Sequence, residues 1–312
     1  MSVYYKDYAS FLGELFDGKV QKLSVDIGLS CPNRDGTLGT GGCIYCRNDA
    51  FSPDFEKRAL PVEEQLRRGK DFFARKYPQM RYLAYFQSYT STYGDRDAMK
   101  DAYGRALADD DVVGMVVSTR PDCFDRDVAA MLSELKSASG KEVIVEFGVE
   151  TLHDATLGRI NRHHSAECAC EAVCLAAAAG FPVGVHLILG LPGETESMMA
   201  YTVARVSSLP VSTVKFHQLQ VLRGTELERQ YLAGALPDMP VYTAEEYASL
   251  CARLLRSLRP DIAVDRFVAQ APEGLLVSPK WGMKNYQFTA LLERTLADIG
   301  FPPLADRLAF AL

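Results

Sequence analysis

Three cysteines within sixteen residues are the part of this chain best suited to chemistry. The segment CPNRDGTLGTGGCIYC places Cys31, Cys43 and Cys46 on a loop that also holds Gly36, Gly39, Gly41 and Gly42, and the last two cysteines form a C-x-x-C pair. An odd number of thiols does not pair off into disulfides, and a closed tetrahedral zinc site takes four ligands. Three soft thiolates on a flexible loop suit an iron–sulfur cluster with one iron left open to a non-protein ligand. Spacing alone leaves two other readings open: a zinc site whose fourth ligand lies elsewhere, or three core cysteines with no metal.

The elements that must position such a loop follow from the bulk properties and the hydrophobic pattern. At 312 residues the chain is long enough to bury a sizeable core, and 48% hydrophobic with 24% charged residues is the balance of an ordinary globular protein. There is no apolar run of membrane-spanning length, and the start MSVYYKDYAS lacks the basic and apolar regions of a signal peptide. The expectation is a cytoplasmic protein, where eight cysteines are metal ligands or small buried hydrophobes rather than disulfides. A formal net charge of −6 argues against a surface coated for nonspecific nucleic-acid binding, though not against a local basic groove.

Residues 1–20 read as a short helix or extended lead-in with an apolar stripe of Tyr4, Tyr5, Tyr8, Phe11, Leu12 and Phe16. Strand-like runs follow at 22–29, 81–87, 112–118, 142–149, 183–189 and 213–219, with helical patterns at 61–77, 97–107, 125–137, 166–179 and after Glu194. Pro61 with Glu63 and Glu64 suits a helix start, and Gly180 suits a helix end. This rhythm of βα units implies parallel strands with right-handed crossovers, either in a doubly wound sheet or in an incomplete TIM-like barrel. No G-x-G-x-x-G follows the first strand, so the dinucleotide fold lacks its signature.

Polar residues end almost every strand: Cys31, Gln87 and Ser88, Ser118 and Thr119, Glu150, the run 190–194, and His217 with Gln218. Parallel barrels gather their active sites on that rim, which favours the barrel. The expected organisation is an α/β chain with a lead-in at 1–20, an incomplete (βα)6 TIM-like barrel at 21–220, and an extension at 221–312 packed on the barrel. In the extension, 243–258 and 286–299 read as helices and 262–268 carries a weaker strand signal.

Together the cysteine loop and the strand ends resemble the radical S-adenosylmethionine (SAM) superfamily. More narrowly, KVQKLSVDIGLSCPNRDGTLGTGGCIYC is similar to its YhcC/YtqA-like branch, a relative of the elongator catalytic-subunit-like group. The resemblance continues through YFQSYTSTYG (85–94), STRPDC (118–123), EFGVET (146–151), INRHH (160–164), HLILGLPGE (186–194) and KFHQLQVLRGT (215–225). The superfamily usually spaces its cysteines C-x-x-x-C-x-x-C, whereas here eleven residues separate Cys31 from Cys43, as in that branch.

The resemblance implies a [4Fe–4S] cluster on Cys31, Cys43 and Cys46, with SAM chelated at the open iron and cleaved reductively to a 5′-deoxyadenosyl radical. It implies a one-electron reductant of flavodoxin or ferredoxin type. Gln87, Ser88 and Thr90 stand where the family meets the methionine amino group, Glu150 where it bonds the ribose, and Arg162 where it pairs with the methionyl carboxylate. Gly190 would admit backbone close to the adenine, with Ile188 packing on its face, or Ile188 is barrel core. His186 and His217 lie within strands, as core residues or as SAM or substrate contacts on the inner wall. No catalytic acid or base is assigned. Cys168, Cys170 and Cys174 fall in an alanine-rich helix and read as structural thiols, as do Cys123 and Cys251.

For substrate, the branch resembles enzymes of the tRNA wobble uridine, which implies conversion of a carboxymethylaminomethyl to an aminomethyl group. Lys19, Lys22, Arg67, Arg68, Lys70, Arg253, Arg256, Arg259, Lys280 and Lys284 are candidate phosphate contacts, or simply solvated faces. Trp281 is a base-stacking candidate or an anchor for the extension. A small-molecule or protein substrate for the same radical chemistry is the alternative, and a zinc-binding structural protein is the remote one.

Overall fold

The computed structural model describes residues 2–53, 55–56, 58–74 and 79–310. Six strands run in chain order and in parallel: β1 (Val20–Ser24), β2 (Arg81–Phe86), β3 (Val112–Thr119), β4 (Glu142–Glu150), β5 (Val183–Leu189) and β6 (Thr213–Gln218). A two-residue strand β7 (Val221–Leu222) follows. Then β8 (Ala263–Arg266) joins β6 as a seventh parallel strand, and β9 (Leu276–Ser278) pairs antiparallel with β7. The incomplete barrel therefore has one strand more than the six expected. Its last strand comes from the extension, so that segment completes the barrel wall as well as packing on it.

Helices Arg96–Leu107, Arg126–Ser139, Ala166–Ala178 and Glu196–Ser207 are each started by a side chain that accepts from a backbone N–H of the first turn: Asp95, Asp125, Ser165 and Thr195. The caps fix where each rim loop ends. The first large helix covers Val62–Ala74, and residues 75–77 of its expected span lie outside the described residues. β1 stops at Ser24, short of the expected 29. There Gln65 takes over the next backbone groups, accepting from Asp26 N (2.9 Å) and donating to Asp26 O (2.8 Å), and this leads the chain out of the sheet toward the cysteines. Among the described residues no helix is long and apolar enough to cross a membrane.

Because the strands are parallel and covered on both faces, both faces must be filled. Outward residues such as Leu23, Ala84, Met115, Val145, Leu187 and Phe216 pack under the helices. Inward residues form layers set by the two-residue period. At the N-terminal end Leu83, Val116, Ile144 and Ala263 close on Phe11 and Leu12 from the helix Tyr8–Leu15, which plugs the barrel.

The next layer up is charged. Glu146 on β4 accepts from Lys22 (2.8 Å), Lys215 (2.9 Å), the Tyr85 hydroxyl (2.8 Å) and His186 Nε2 (2.9 Å). Lys22 also reaches Asp265 at 2.9 Å, which joins the two free sheet edges, β1 and β8. Burial alone would push the Glu146 carboxyl up, but Lys215 and Lys22 outweigh it and hold the group well below the usual carboxylate range. Gly184 makes room for this layer: a Cβ there would stand 3.0 Å from Glu146 Cγ and 2.7 Å from Thr213 Oγ1.

Lys22 is thus a half-buried structural cation tied to Glu146 and Asp265, and not a phosphate contact. Removing the carboxylate would leave Lys22 and Lys215 to share Asp265, so that one cation of the layer is uncompensated, a defect that costs about 3–5 kcal/mol. Glu146→Gln is expected to lower unfolding free energy by that order in urea titration, far more than Glu14→Gln at the exposed Lys6 pair.

Candidate active site

The thiol loop is folded by its own backbone and tied to the rim through Ile160 and Asn161. Gly42 N donates to Asn33 O (2.8 Å), Cys46 N to Cys43 O (2.9 Å) and Ile44 N to Ile160 O (3.1 Å). Asn161 Nδ2 donates to Gly42 O at 2.8 Å. Two donors also point at one sulfur: Asn33 Nδ2 lies 3.5 Å and Arg162 Nη1 3.6 Å from Cys43 Sγ. Such contacts stabilise a thiolate. Burial, with Cys43 beside it, pushes the Cys46 thiol up to about 12, so the protein alone does not supply enough positive charge to ionise it.

The three cysteines line a cavity of about 210 Å³ at the C-terminal ends of the strands, together with Gln87, Ser88, Thr90, Glu150, Arg162, His186 and His217. Ile188 lines an adjoining hollow that shares Cys46, Glu150, His186 and His217 with the first. Gly190 lines neither of these. Its open side faces the Tyr242 ring, 3.3 Å from where a Cβ would stand, so at that face it accommodates the extension.

Arg162 is largely committed to protein partners. It donates from Nε to His164 (3.0 Å) and from Nη2 to Gly148 O (2.6 Å), with Glu150 at 3.4 Å and Cys43 on its other side. A Cβ on Gly148 would stand 2.6 Å from that guanidinium and 2.8 Å from Glu150 Oε1, so only glycine leaves space for the pair. Burial pushes the Glu150 carboxyl up and Arg162 only partly counters it. Burial, aided by Arg162, lowers His164 to about 4, so His164 is a neutral acceptor.

Among the described residues, four buried polar atoms on the cavity wall have no partner: Thr90 Oγ1, Arg120 Nη1, His217 Nε2 and Arg266 Nε. Orphaned groups of this kind each cost on the order of 1–3 kcal/mol, and their convergence on one cavity is the mark of a polar ligand site. Backbone strain collects at the same rim, with positive φ at Tyr89 (57°), Glu150 (64°), Asn161 (57°) and His163 (61°). Among the described residues, no three His, Cys, Asp or Glu side chains close on a point that would hold a single metal ion. A zinc site asks for that convergence. A multi-iron cluster instead takes one thiolate at each of several corners, and thiols spread around one cavity suit it.

Sequence reasoning did not single out Arg120, Arg34, Tyr45, Tyr85 or Arg266, all of which line the cavity. For Arg120 a signal was available, since STRPDC ends a strand and an arginine buried to 2% exposure must meet an anion. Arg266 had none, because it depends on a distant strand docking beside β6. The candidate phosphate contacts also sort themselves. Arg67 and Arg68 pair with Glu64, Lys70 with Asp109, Arg253 with Glu196 and Arg259 with Asp261. The Trp281 ring stacks on Phe288 at 5.8 Å and its Nε1 donates to Tyr242 O (2.9 Å), which makes it an anchor.

The "Radical SAM superfamily" model matches residues 34–206, and a "Radical_SAM C-terminal domain" model matches residues 211–298. The chain belongs to the radical SAM superfamily. It is 36% identical to protein YhcC of Escherichia coli K12 over 282 residues, covering 90% of this chain and 89% of that one. It is 34% identical to YtqA of Bacillus subtilis, covering 93% and 88%. The solved archaeal Elp3 of Methanocaldococcus infernus shares the fold at a TM-score of 0.70 with 17% identity, over 92% of this chain and 64% of that one. Family membership makes this a radical SAM enzyme and implies an iron–sulfur cluster and SAM, which the thiols and orphaned donors of the cavity fit.

One buried acid gives this radical SAM rim a pH dependence. Glu56 is hydrogen bonded by Ser88, and burial, with Asp26 adding to it, raises its carboxyl to about 7. The folded state then holds its proton above the unfolded carboxylate range. Stability from this group is full below about pH 4.5 and is lost as pH rises through about 7. Comparing wild type with Glu56→Gln, thermal melts at pH 5.5 and 8 should show the wild type losing more across the interval, by about 2 kcal/mol.

Proposed function

We propose that Cys31, Cys43 and Cys46 hold a [4Fe–4S] cluster whose open iron binds SAM, and that the enzyme uses the pair to modify the wobble-uridine side chain of tRNA. The convergence of three thiols and four orphaned polar atoms on one rim cavity carries the cofactor part of this reading. When bound, the cluster and SAM supply a strongly abstracting carbon radical; every other task falls to the chain.

Thr90 Oγ1 and Ser88 face the amino acid end of SAM. Arg120 supports the methionyl carboxylate better than Arg162, because its Nη1 is free while Asp122 (2.8 and 2.9 Å) and Arg162 O (2.8 Å) fix its other nitrogens. Arg162 instead steadies the Cys43 thiolate and orients Glu150 toward the ribose. Ile188 offers an apolar face to the adenine from the neighbouring hollow. A flavodoxin- or ferredoxin-type protein would deliver the electron, and the walls of the rim cavity would shield the radical from bulk solvent.

The tRNA part rests on the resemblance of the chain to wobble-uridine enzymes. The ion pairing of Arg67, Arg68, Lys70, Arg253 and Arg259 favours the second reading, a small-molecule or protein substrate: with Lys22 held in the barrel and Lys19 also engaged, it leaves Arg256, Lys280 and Lys284 as the remaining candidates from the original set.

Anaerobically reconstituted protein should be brown with about four irons per chain, as the cluster requires, and should form 5′-deoxyadenosine from SAM under reduction. Cys43→Ala should be colourless and inactive; colourless wild type binding one zinc would sink the radical reading. Arg120→Gln should keep the colour and weaken SAM binding about tenfold or more. Wobble nucleosides from a deletion strain should accumulate the carboxymethylaminomethyl form, and an unchanged nucleoside profile would remove tRNA as substrate.

A further inference from the structure

The floor of the cavity carries one positive charge more than the protein neutralises. Below the SAM end, three cations, Lys22, Lys215 and Arg266, face two carboxylates, Glu146 and Asp265. Both lysines are tied to those carboxylates at 2.8–3.5 Å. The two histidines of this layer add no charge: burial, reinforced by Lys215, lowers His186 to about 4, and burial with Arg266 nearby holds His217 well below the usual range. Arg266 is the cation left over. Among the described residues it has no ion pair, and its buried Nε donates to nothing.

The geometry that aims it is specific. The register between β6 and β8 slips after Val214↔Val264, so that Lys215 pairs with Arg266 and Asp265 is the additional residue. A bulge of this kind re-aims side chains. Here it lets two successive residues serve the interior, with Asp265 on the lysines and Arg266 on the cavity.

The segment beyond it is pinned. Ala269 N donates to Gln218 Oε1 (2.7 Å), the Ala269 carbonyl accepts from Gln218 and Gln220, and Phe267 O accepts from Tyr247 (2.9 Å). Arg266 borders both the rim cavity and a wide lateral hollow of about 1180 Å³ lined by Lys22, Gln87, Asp265 and Gln270. That hollow lies where the two sheet edges face one another, so it is a route to the floor that does not pass the cysteines.

We propose that Arg266, with His217 Nε2 beside it, is a receptor for one carboxylate of the substrate, which enters between β1 and β8 with its anionic end leading. The carboxylate of SAM is not the occupant, because the family's chemistry holds it at the open iron beside the thiols. The guanidinium offers two parallel N–H donors that match a carboxylate, and His217 adds a third donor in the tautomer with its proton on Nε2. The C–H bonds next to that carboxylate are then held between the floor and the SAM end. This rests on the radical reading of the cavity. If the substrate is the wobble uridine, the carboxylate is that of its carboxymethylaminomethyl group.

Two measurements on the reconstituted enzyme test it. In the first, RNA stem-loops carrying carboxymethylaminomethyluridine or aminomethyluridine are titrated. Wild type should prefer the carboxylate form by about tenfold, Arg266→Lys should keep part of the preference, and Arg266→Gln should lose it; a preference that survives in Arg266→Gln overturns the proposal. In the second, wild type alone is treated with phenylglyoxal and Arg266 modification is read by peptide mass spectrometry. N-Methylglycine should slow that modification severalfold and N-methylglycinamide should not. Equal rates with and without N-methylglycine, or equal protection by the amide, overturn the receptor whatever the RNA does. If neither RNA binds while the carboxylate-specific protection holds, the receptor stands and the tRNA reading falls.

Discussion

A single buried carboxylate, Glu146, holds this barrel to its working width. A sheet of seven parallel strands that does not close has two free edges, and the lumen between them would be open to water or collapse. Glu146 prevents collapse by gathering Lys22 from β1, Tyr85 from β2, His186 from β5 and Lys215 from β6, while Lys22 carries the link on to Asp265 of β8 and a lateral hollow stays open between the edges. Buried ion pairs contribute little net stability relative to a well-packed apolar layer. What this one contributes is position: it is a polar floor that fixes the distances between strands while leaving space above it.

The rim above depends on that fixed width. Arg162 can bridge Gly148 O, Glu150 and Cys43 only because β4 and the thiol loop are held at a set separation. The strained residues Glu150, Asn161 and His163 sit in this same bridge. Strain persists where surrounding structure over-determines it, and here the hydrogen bonds of Asn161 to Gly42 and of Ile44 to Ile160 do so. The archaeal Elp3 shares this fold at 17% identity.

Charge is distributed differently on the two levels of the lumen. At the rim, Arg34, Arg120 and Arg162 border the thiols, whose ionisation needs compensation. At the floor the histidines are neutral, and Arg266 is the cation that has no ion pair among the described residues. A cavity with a cation-rich end around sulfur and a lone guanidinium at the far end is polar along its length, so it orients whatever anionic group enters.

The sequence by itself determined the family, the parallel strand order and the residues facing the rim. These are local matters: alternating apolar runs, capping side chains, and polar residues at strand ends that the parallel arrangement must bring to one side. Ten of the twelve residues nominated from sequence do line the rim cavity, with Ile188 next door and Gly190 turned toward Tyr242. Only the tertiary structure decided which cations are spent and which are free. Lys22 looks like any basic residue until β8 brings Asp265 beside it, Arg162 looks available until Gly148, His164 and Cys43 occupy it, and Arg266 acquires its aim from a one-residue slip in pairing with β6. Each of those outcomes is a contact between segments far apart in the chain, and periodicity along a sequence contains no information about which distant charge a side chain will meet.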